Sequence, residues 1–178
     1  TASFARSDSG AKGTLAGPLA DGRHDVQIAL SDRAGNDGTG SGWFVVYTVG
    51  PQATIVAPAP NGVFKDATPG VEVTFADPGG SGVDLATVHV FLIRDPDPPV
   101  DVTSMLTSAP DRLAGDLTSV LSAGTYRLRL VVSDRATNTT TVEGGFEIVT
   151  VAPSLAVTSP HGFVAVATPT FTIPYHDD

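Results

Sequence analysis

The chain has no cysteine. Disulfide staples, thiolate metal sites and cysteine nucleophiles are therefore excluded. Positive charge is scarce as well: ten Lys and Arg stand against nineteen Asp and Glu, for a formal net charge of −9. No run of Lys or Arg occurs, so no basic face exists for phosphates, and no nucleic-acid partner is expected. Aromatic residues make up 7% of the chain, with one Trp and three Tyr. No apolar run reaches the roughly 18 residues of a membrane span. No signal peptide is legible either. The chain opens at Thr1 without Met, which gives the expectation of a processed protein or a fragment.

What remains is a chain of 178 residues, 41% hydrophobic, with nineteen Gly and fourteen Pro. That is too much Gly and Pro for a helical protein. It suits short strands joined by turns. The most informative feature is an internal repeat. LADGRHDVQIALSDRAGN at 19–36 returns as LSAGTYRLRLVVSDRATN at 121–138, a shift of 102 residues. The same shift aligns 1–51 with 103–153 without a gap, pairing Gly22 with Gly124, His24 with Tyr126, Phe44 with Phe146 and Pro51 with Pro153. With a shift of 100, residues 60–69 match 160–169, and Val71, Val73, Phe75 and Asp77 then meet Phe171, Ile173, Tyr175 and Asp177. The expected organisation is therefore the C-terminal part of one repeat at 1–50, a complete repeat at 51–152 and the N-terminal part of a third at 153–178. Two explanations of the incomplete units stand side by side. The chain is a window on a longer tandem array, or the halves on neighbouring chains complete each other.

Alternation marks the strands within a unit. Val71, Val73 and Phe75 face one way, as do Tyr126, Leu128, Leu130 and Val132, and later Phe146 and Ile148. Further strands are expected near 53–57, 87–93, 101–106 and 113–119, separated by turn clusters at 59–62, 77–82, 95–99 and 134–138. About seven short strands in about 100 residues is the size of an immunoglobulin-like sandwich. No amphipathic helix is evident. The fold class expected is all-β: tandem immunoglobulin-like β-sandwich domains of about 100 residues with about seven strands each.

The strings ending SDRAGN and SDRATN resemble the F strand and FG turn of bacterial immunoglobulin-like repeats. Ala67-Thr68-Pro69, FADPGGSGVD at 75–84 and DVT at 101–103 resemble the B strand, the BC loop and a later strand of the same modules. Those modules are similar to cadherin-like and fibronectin-like domains strung along large bacterial surface proteins. The resemblance covers the whole chain and implies architecture more than activity. It also implies that the BC and FG loops share one pole, which gathers Asp77, Asp84, Asp134 and Asn138 near the incoming segment 48–53. Two readings of this set stand. The Asx side chains cap turns by bonding nearby amides. Or they supply oxygens to Ca²⁺, stiffening the joint between units. The spacing fits no EF-hand loop.

Other motifs give no chemistry. The four histidines, His24, His89, His161 and His176, form no HxH or HxxxH pair and are read as surface or strand-edge residues. No GxSxG occurs, and the glycine-rich DPGGSG follows a strand rather than opening a helix. Lys12 and Lys65 meet Ala114 and Ala165 in the repeat, which argues against an intramolecular Lys–Asn crosslink. Trp43 is either a local packing residue or an exposed ring for stacking a sugar. Asp95 and Asp97 lie in a stiff RDPDPP loop.

The function expected is structural: a stalk, spacer or fibre element of a secreted or cell-surface bacterial protein, with neighbouring repeats in the same or adjacent chains as partners. Two alternatives are a module binding a surface protein or glycan, and a fibre subunit polymerising by strand completion between chains. An enzyme is not expected, and Ca²⁺ is the one cofactor that the residues raise.

Overall fold

The computed structural model describes residues 3–7 and 10–176, so the match of Asp77 with Asp177 lies outside the described residues. In chain order, β1 (Ser3–Ser7) and β2 (Gly10–Thr14) form an antiparallel pair, and β3 (Gly22–Ser31) and β4 (Asp37–Val46) form a long hairpin. Next come β5 (Gln52–Ala57), β6 (Val63–Phe64), β7 (Gly70–Ala76), β8 (Val83–Ile93) and β9 (Val100–Asp101). One turn of 3-10 helix (Thr103–Met105) separates them from β10 (Thr107–Ala109), β11 (Arg112–Asp116), β12 (Gly124–Asp134) and β13 (Thr139–Ile148). Finally, β14 (Ser154–Leu155) pairs with β15 (Tyr175–His176). The fold is an all-β sandwich. Its two larger sheets have the orders β10-β11-β7-β5 and β6-β13-β12-β8-β9.

By packing, the chain divides into two compact units. One comprises Thr1–Thr54, Phe75–Val88 and Val131–Thr141; the other comprises Ile55–Thr74, His89–Leu130 and Val142–Asp178. The first holds β1 to β4 whole, and its buried hydrophobic residues among those described are Phe75, Val88 and Val132. The second buries Val71, Val73, Val90, Leu113, Leu128, Leu130, Phe146 and Ile148 among others. These are the alternate residues of β7, β8, β11, β12 and β13, the inward rows that a period of two dictates. Within this second unit, Tyr126 O–H donates to the Ser122 carbonyl at 2.9 Å, while its ring stacks on Phe146 with centroids 5.7 Å apart. Outward residues of the same strands pair by charge: Arg127 and Arg129 both reach Glu143, at 3.0 and 2.6 Å. Arg129 and, more weakly, Arg127 hold the Glu143 carboxyl below its ordinary value against the opposing effect of burial.

The expected strand at 101–106 is not formed as such. It stops at Asp101 and gives way to the 3-10 turn. Side chains compete with the ladder here. Asp101 Oδ1 accepts the Thr103 N–H at 2.9 Å, and Thr103 Oγ1 accepts the Val90 N–H at 2.8 Å. The alternation visible at 71–75, 126–132 and 146–148 does appear as β7, β12 and β13.

Local pairing recurs at the shift seen in the sequence. Ala5 pairs with Lys12 between β1 and β2, and Thr107 with Ala114 between β10 and β11. Asp32 N–H donates to the Asn36 carbonyl at 2.9 Å, and Asp134 N–H to the Asn138 carbonyl at 3.0 Å. What differs is burial. Ile28 is 59% exposed where Leu130 is 0% exposed.

Candidate functional site

Two of the four candidate ligands, Asp77 and Asn138, sit on loops, and Asp84 and Asp134 stand at the start of β8 and the end of β12. The Asp77 carboxylate closes the loop after β7. Its Oδ1 accepts the Gly79 N–H at 2.9 Å, and its Oδ2 accepts the Gly82 N–H at 2.6 Å and the Ser81 hydroxyl at 3.2 Å. This is the Asx-turn use of a short carboxylate, and the glycines are what let the chain double back. Gly80 and Gly82 have φ of +92° and +88°, values that favour glycine. Asp84, at the start of β8, accepts the Ala86 N–H at 3.1 Å, and its carbonyl accepts Thr87 Oγ1 at 2.8 Å. Thr87 Oγ1 in turn accepts the Ser133 N–H at 3.0 Å, which ties this end of β8 to β12.

Asp134 ends β12 and is 2% exposed. Its Oδ1 accepts the Asn138 N–H and its Oδ2 the Asn138 Nδ2–H, both at 2.8 Å. Burial raises the Asp134 carboxyl; hydrogen bonds from the Asn138 side chain and main chain, the Ser81 hydroxyl and the Ala136 N–H outweigh it and hold the group below its ordinary value. Ser81, whose hydroxyl donates to Asp77, also lies beside Asp134 and helps to lower its carboxyl, so these two residues and Asn138 are brought together. Asn138 Nδ2 also donates to the Tyr47 carbonyl at 3.0 Å, and Thr140 Oγ1 donates to the Pro51 carbonyl at 2.6 Å. The segment 47–51 is therefore fastened to the turn after β12.

In this structure most of the donor set is engaged by the chain itself. Calcium takes six to eight oxygens on a hard centre. Here both oxygens of Asp77 and both of Asp134 are engaged by N–H or O–H donors of the chain itself, and Asn138 presents its NH₂ group to Asp134. Asp84 is turned toward its own strand. Among the described residues, no group of three or more His, Asp or Glu is arranged to hold a metal. The arrangement fixes two loops and the incoming segment by saturating their amides.

The earlier turn is built the same way. Asp32 Oδ1 accepts the Ala34 and Asn36 N–H groups at 2.8 and 2.9 Å, and Oδ2 accepts Asn36 Nδ2–H at 2.8 Å. The Asn36 side chain and main chain hold the Asp32 carboxyl below its ordinary value. One difference between the copies has an energetic consequence. Gly35 has φ +88°, and the matching Thr137 has φ +71°. A β-branched residue in the left-handed region costs about 1–2 kcal/mol. Thr137 is exposed, so no packing opposes its replacement. Thr137→Gly is expected to stabilise the sandwich by about 1 kcal/mol, read as a higher urea midpoint at unchanged slope.

The pH dependence follows from Asp134. Its carboxyl titrates lower in the folded chain than in the unfolded one. Its contribution is therefore fully present above about pH 4, the unfolded value, and is lost as the pH falls through the folded value. Asp134→Asn is expected to flatten the fall in stability below about pH 4. Urea midpoints taken at a series of acidic pH values check this, and an unchanged acid limb refutes it.

Residues that the motif reading passed over matter at least as much. His24 is not a plain surface histidine. Its Nε2 donates to the Ala20 carbonyl at 2.8 Å and its ring stacks on Phe44 at 5.5 Å. It thus occupies the role that Tyr126 fills toward Ser122 and Phe146, and the His24/Tyr126 match in the repeat was the available signal. Trp43 is 65% exposed, but the Arg23 guanidinium lies over its ring at 5.1 Å, leaving one face for any other ring. Asp95 of the RDPDPP loop pairs with Arg127 at 3.1 Å. Ser81 and the Tyr47 carbonyl carried no signal in the sequence, since a loop serine and a main-chain oxygen look the same everywhere.

No family model matches the chain, and no curated protein matches it. Among solved structures, CopC from Methylosinus trichosporium OB3b is similar at 18% identity and TM-score 0.42, over 55% of this chain and 93% of that one. An engineered protein is similar at 19% identity and TM-score 0.41, over 56% of this chain and 20% of its own. Dimeric latent PorU from Porphyromonas gingivalis is similar at 12% identity and TM-score 0.45, over 75% of this chain and 15% of its own. The chain thus spans a fifth or less of the last two. No helix among the described residues is long and apolar enough to cross a membrane.

Proposed function

We propose that the chain is a structural segment, a stalk, spacer or fibre element, of a tandem immunoglobulin-like repeat protein displayed outside a bacterial cell. The observation that carries this reading is the duplicated turn. Asp32 with Asn36 and Asp134 with Asn138 make the same hydrogen bonds 102 residues apart. In the second copy, Asn138 and Thr140 also grip the carbonyls of Tyr47 and Pro51. The polar residues gathered here hold chain to chain, which supports the spacer reading. Pro51 fixes φ at the joint and restricts Gly50 before it, and the matching Pro153 does so at the next joint. A string of units with short, fastened joints holds its length, which is what a spacer must do.

Brief treatment of intact source cells with an added protease, followed by mass spectrometry of the released peptides, tests the reading. Peptides from this chain are expected in the supernatant before lysis. Their recovery only after lysis overturns it.

A further inference from the structure

The chain holds three Asp–Pro bonds, Asp77–Pro78, Asp95–Pro96 and Asp97–Pro98. Such a bond carries its own nucleophile and its own leaving group. The side-chain carboxylate can close a small ring onto the main-chain carbonyl carbon of the same residue, so the attack is intramolecular and favoured by proximity. The proline nitrogen belongs to a tertiary amide without N–H and departs as a secondary amine. What decides the reaction is whether the carboxylate is free to turn onto that carbon.

The fold sorts the three bonds. Asp77 gives both oxygens to its own loop, where Gly79 N–H, Gly82 N–H and the Ser81 hydroxyl hold them. Asp95 has both oxygens turned to Arg127 Nη2, at 3.3 and 3.1 Å. That pair is exposed and is the weaker hold. Asp97 is fixed by its main chain, whose N–H donates to the Arg94 carbonyl at 2.7 Å and closes the turn. Among the described residues, no donor reaches the Asp97 carboxylate. The base of the turn is anchored from the other side. The Arg94 guanidinium donates to Ser122 Oγ at 2.7 Å and to the Ala123 carbonyl at 3.2 Å, and lies 5.5 Å over the Tyr126 ring. Asp97, Pro98 and Pro99 are exposed, so water and acid reach the bond.

We propose that the folded chain cuts itself in mild acid at Asp97–Pro98. The Asp97 carboxylate attacks the Asp97 main-chain carbonyl carbon, the C–N bond to Pro98 breaks, and a proton from the medium goes to the Pro98 nitrogen. The cyclic anhydride left on Asp97 takes up one water and opens to two carboxyl groups. Nothing is oxidised or reduced, and water and acid are the only co-reactants. The two pieces stay together after the cut, because strand pairing crosses it. Phe91 and Leu92 of β8 lie opposite Asp101 and Val100 of β9, β7 pairs with β11, and β6 pairs with β13. The sandwich is then nicked and held by pairing alone, so whatever opens those pairs releases one piece from the other. This goes beyond the spacer reading and does not depend on it.

Mass spectrometry of the full chain tests the cut, after incubation at the most acidic pH at which far-UV circular dichroism still reports the fold, with and without urea. In the folded chain, new ends at Asp97 and Pro98 are expected to form about tenfold or more faster than ends at 77–78, and about three- to fivefold faster than ends at 95–96, the range that an exposed ion pair allows. In urea the three bonds are expected to break at similar rates, since no carboxylate is held. Asp97→Ala removes the nucleophile and ends cutting at 97–98. Arg127→Gln frees Asp95 and raises cutting at 95–96 toward the rate at 97–98. Size-exclusion chromatography of the cut protein is expected to give one species in buffer and two in urea. A folded chain that stays whole, one cut first at 77–78 or 95–96, cutting at 97–98 in Asp97→Ala, or pieces that part in buffer overturns the proposal. None of those outcomes bears on whether the protein is displayed outside the cell, which the protease experiment decides separately.

Discussion

Leu130→Ala is expected to destabilise the sandwich by about 2–5 kcal/mol, whereas Ile28→Ala, the matching change 102 residues earlier, moves stability by less than about 0.5 kcal/mol at dilution. The two residues occupy the same place in the repeat and differ in what covers them. Leu130 is on β12, between β13 and β8 in the five-stranded sheet, and no part of its side chain reaches water. Removing its branched end forfeits the transfer energy of the lost carbons and leaves a cavity whose lining loses contacts. A domain of this size has about 5–15 kcal/mol in total, so the variant should sit near the edge of folding. Ile28 meets water over more than half its surface and has little to lose. Urea unfolding followed by far-UV circular dichroism measures both. Trp43 fluorescence is unsuited to the purpose, since Trp43 lies on β4 and is itself exposed. Equal losses from the two variants would refute the account of where the core is.

Phe146→Ala is expected to cost about 3–5 kcal/mol. Its ring stacks on Tyr126 at 5.7 Å and meets Phe64 edge-on at 6.3 Å. Tyr126 is itself pinned twice: its hydroxyl donates to Ser122, and the Arg94 guanidinium lies 5.5 Å over its ring. In a chain with so few aromatic residues, this cluster supplies contact area that the β-branched core cannot replace, and stacked pairs add about 0.5–1.5 kcal/mol beyond burial. Tyr126→Phe separates the parts. It keeps the ring and drops the O–H, so a loss of about 1 kcal/mol is expected. If Phe146→Ala costs no more than Tyr126→Phe, the cluster is not an anchor.

Much of this was legible in the sequence where burial repeats with period two. Val71, Val73 and Phe75, and Tyr126 through Val132, could only be inward rows, because no other arrangement buries them all. The same logic failed at 101–106. There the pattern reads as strand, but Asp101 and Thr103 satisfy N–H groups of their own neighbourhood and of Val90, and the chain takes a helical turn. Hydrogen bonds from side chain to main chain leave no periodic trace. The turn at 134–138 was legible as a turn because Asp and Asn are residues of that kind. Whether their oxygens faced amides or a cation was not, since that depends on where Gly79, Gly82 and Ser81 fall in space. His24 shows the opposite case. The repeat set it against Tyr126, and the shared role followed from the shared position despite the change of residue type.

The parallel pairing of β6 with β13 has a mechanical consequence. Val63 lies opposite Glu147 and Phe64 opposite Ile148, and Glu147 and Val149 donate to the carbonyls of Gly62 and Phe64, both at 2.9 Å. Asn61 N–H adds a third rung to the Gly145 carbonyl at 2.6 Å. A pull applied at residues 51 and 152 draws β6 toward its own start and β13 toward its own end. Because the strands run the same way, that load lies along them, and the rungs are sheared as a set. An antiparallel pair loaded from one end would open one rung at a time. Once tension along the chain reaches β6, the short strand that the sequence marked least resists it with all its rungs together.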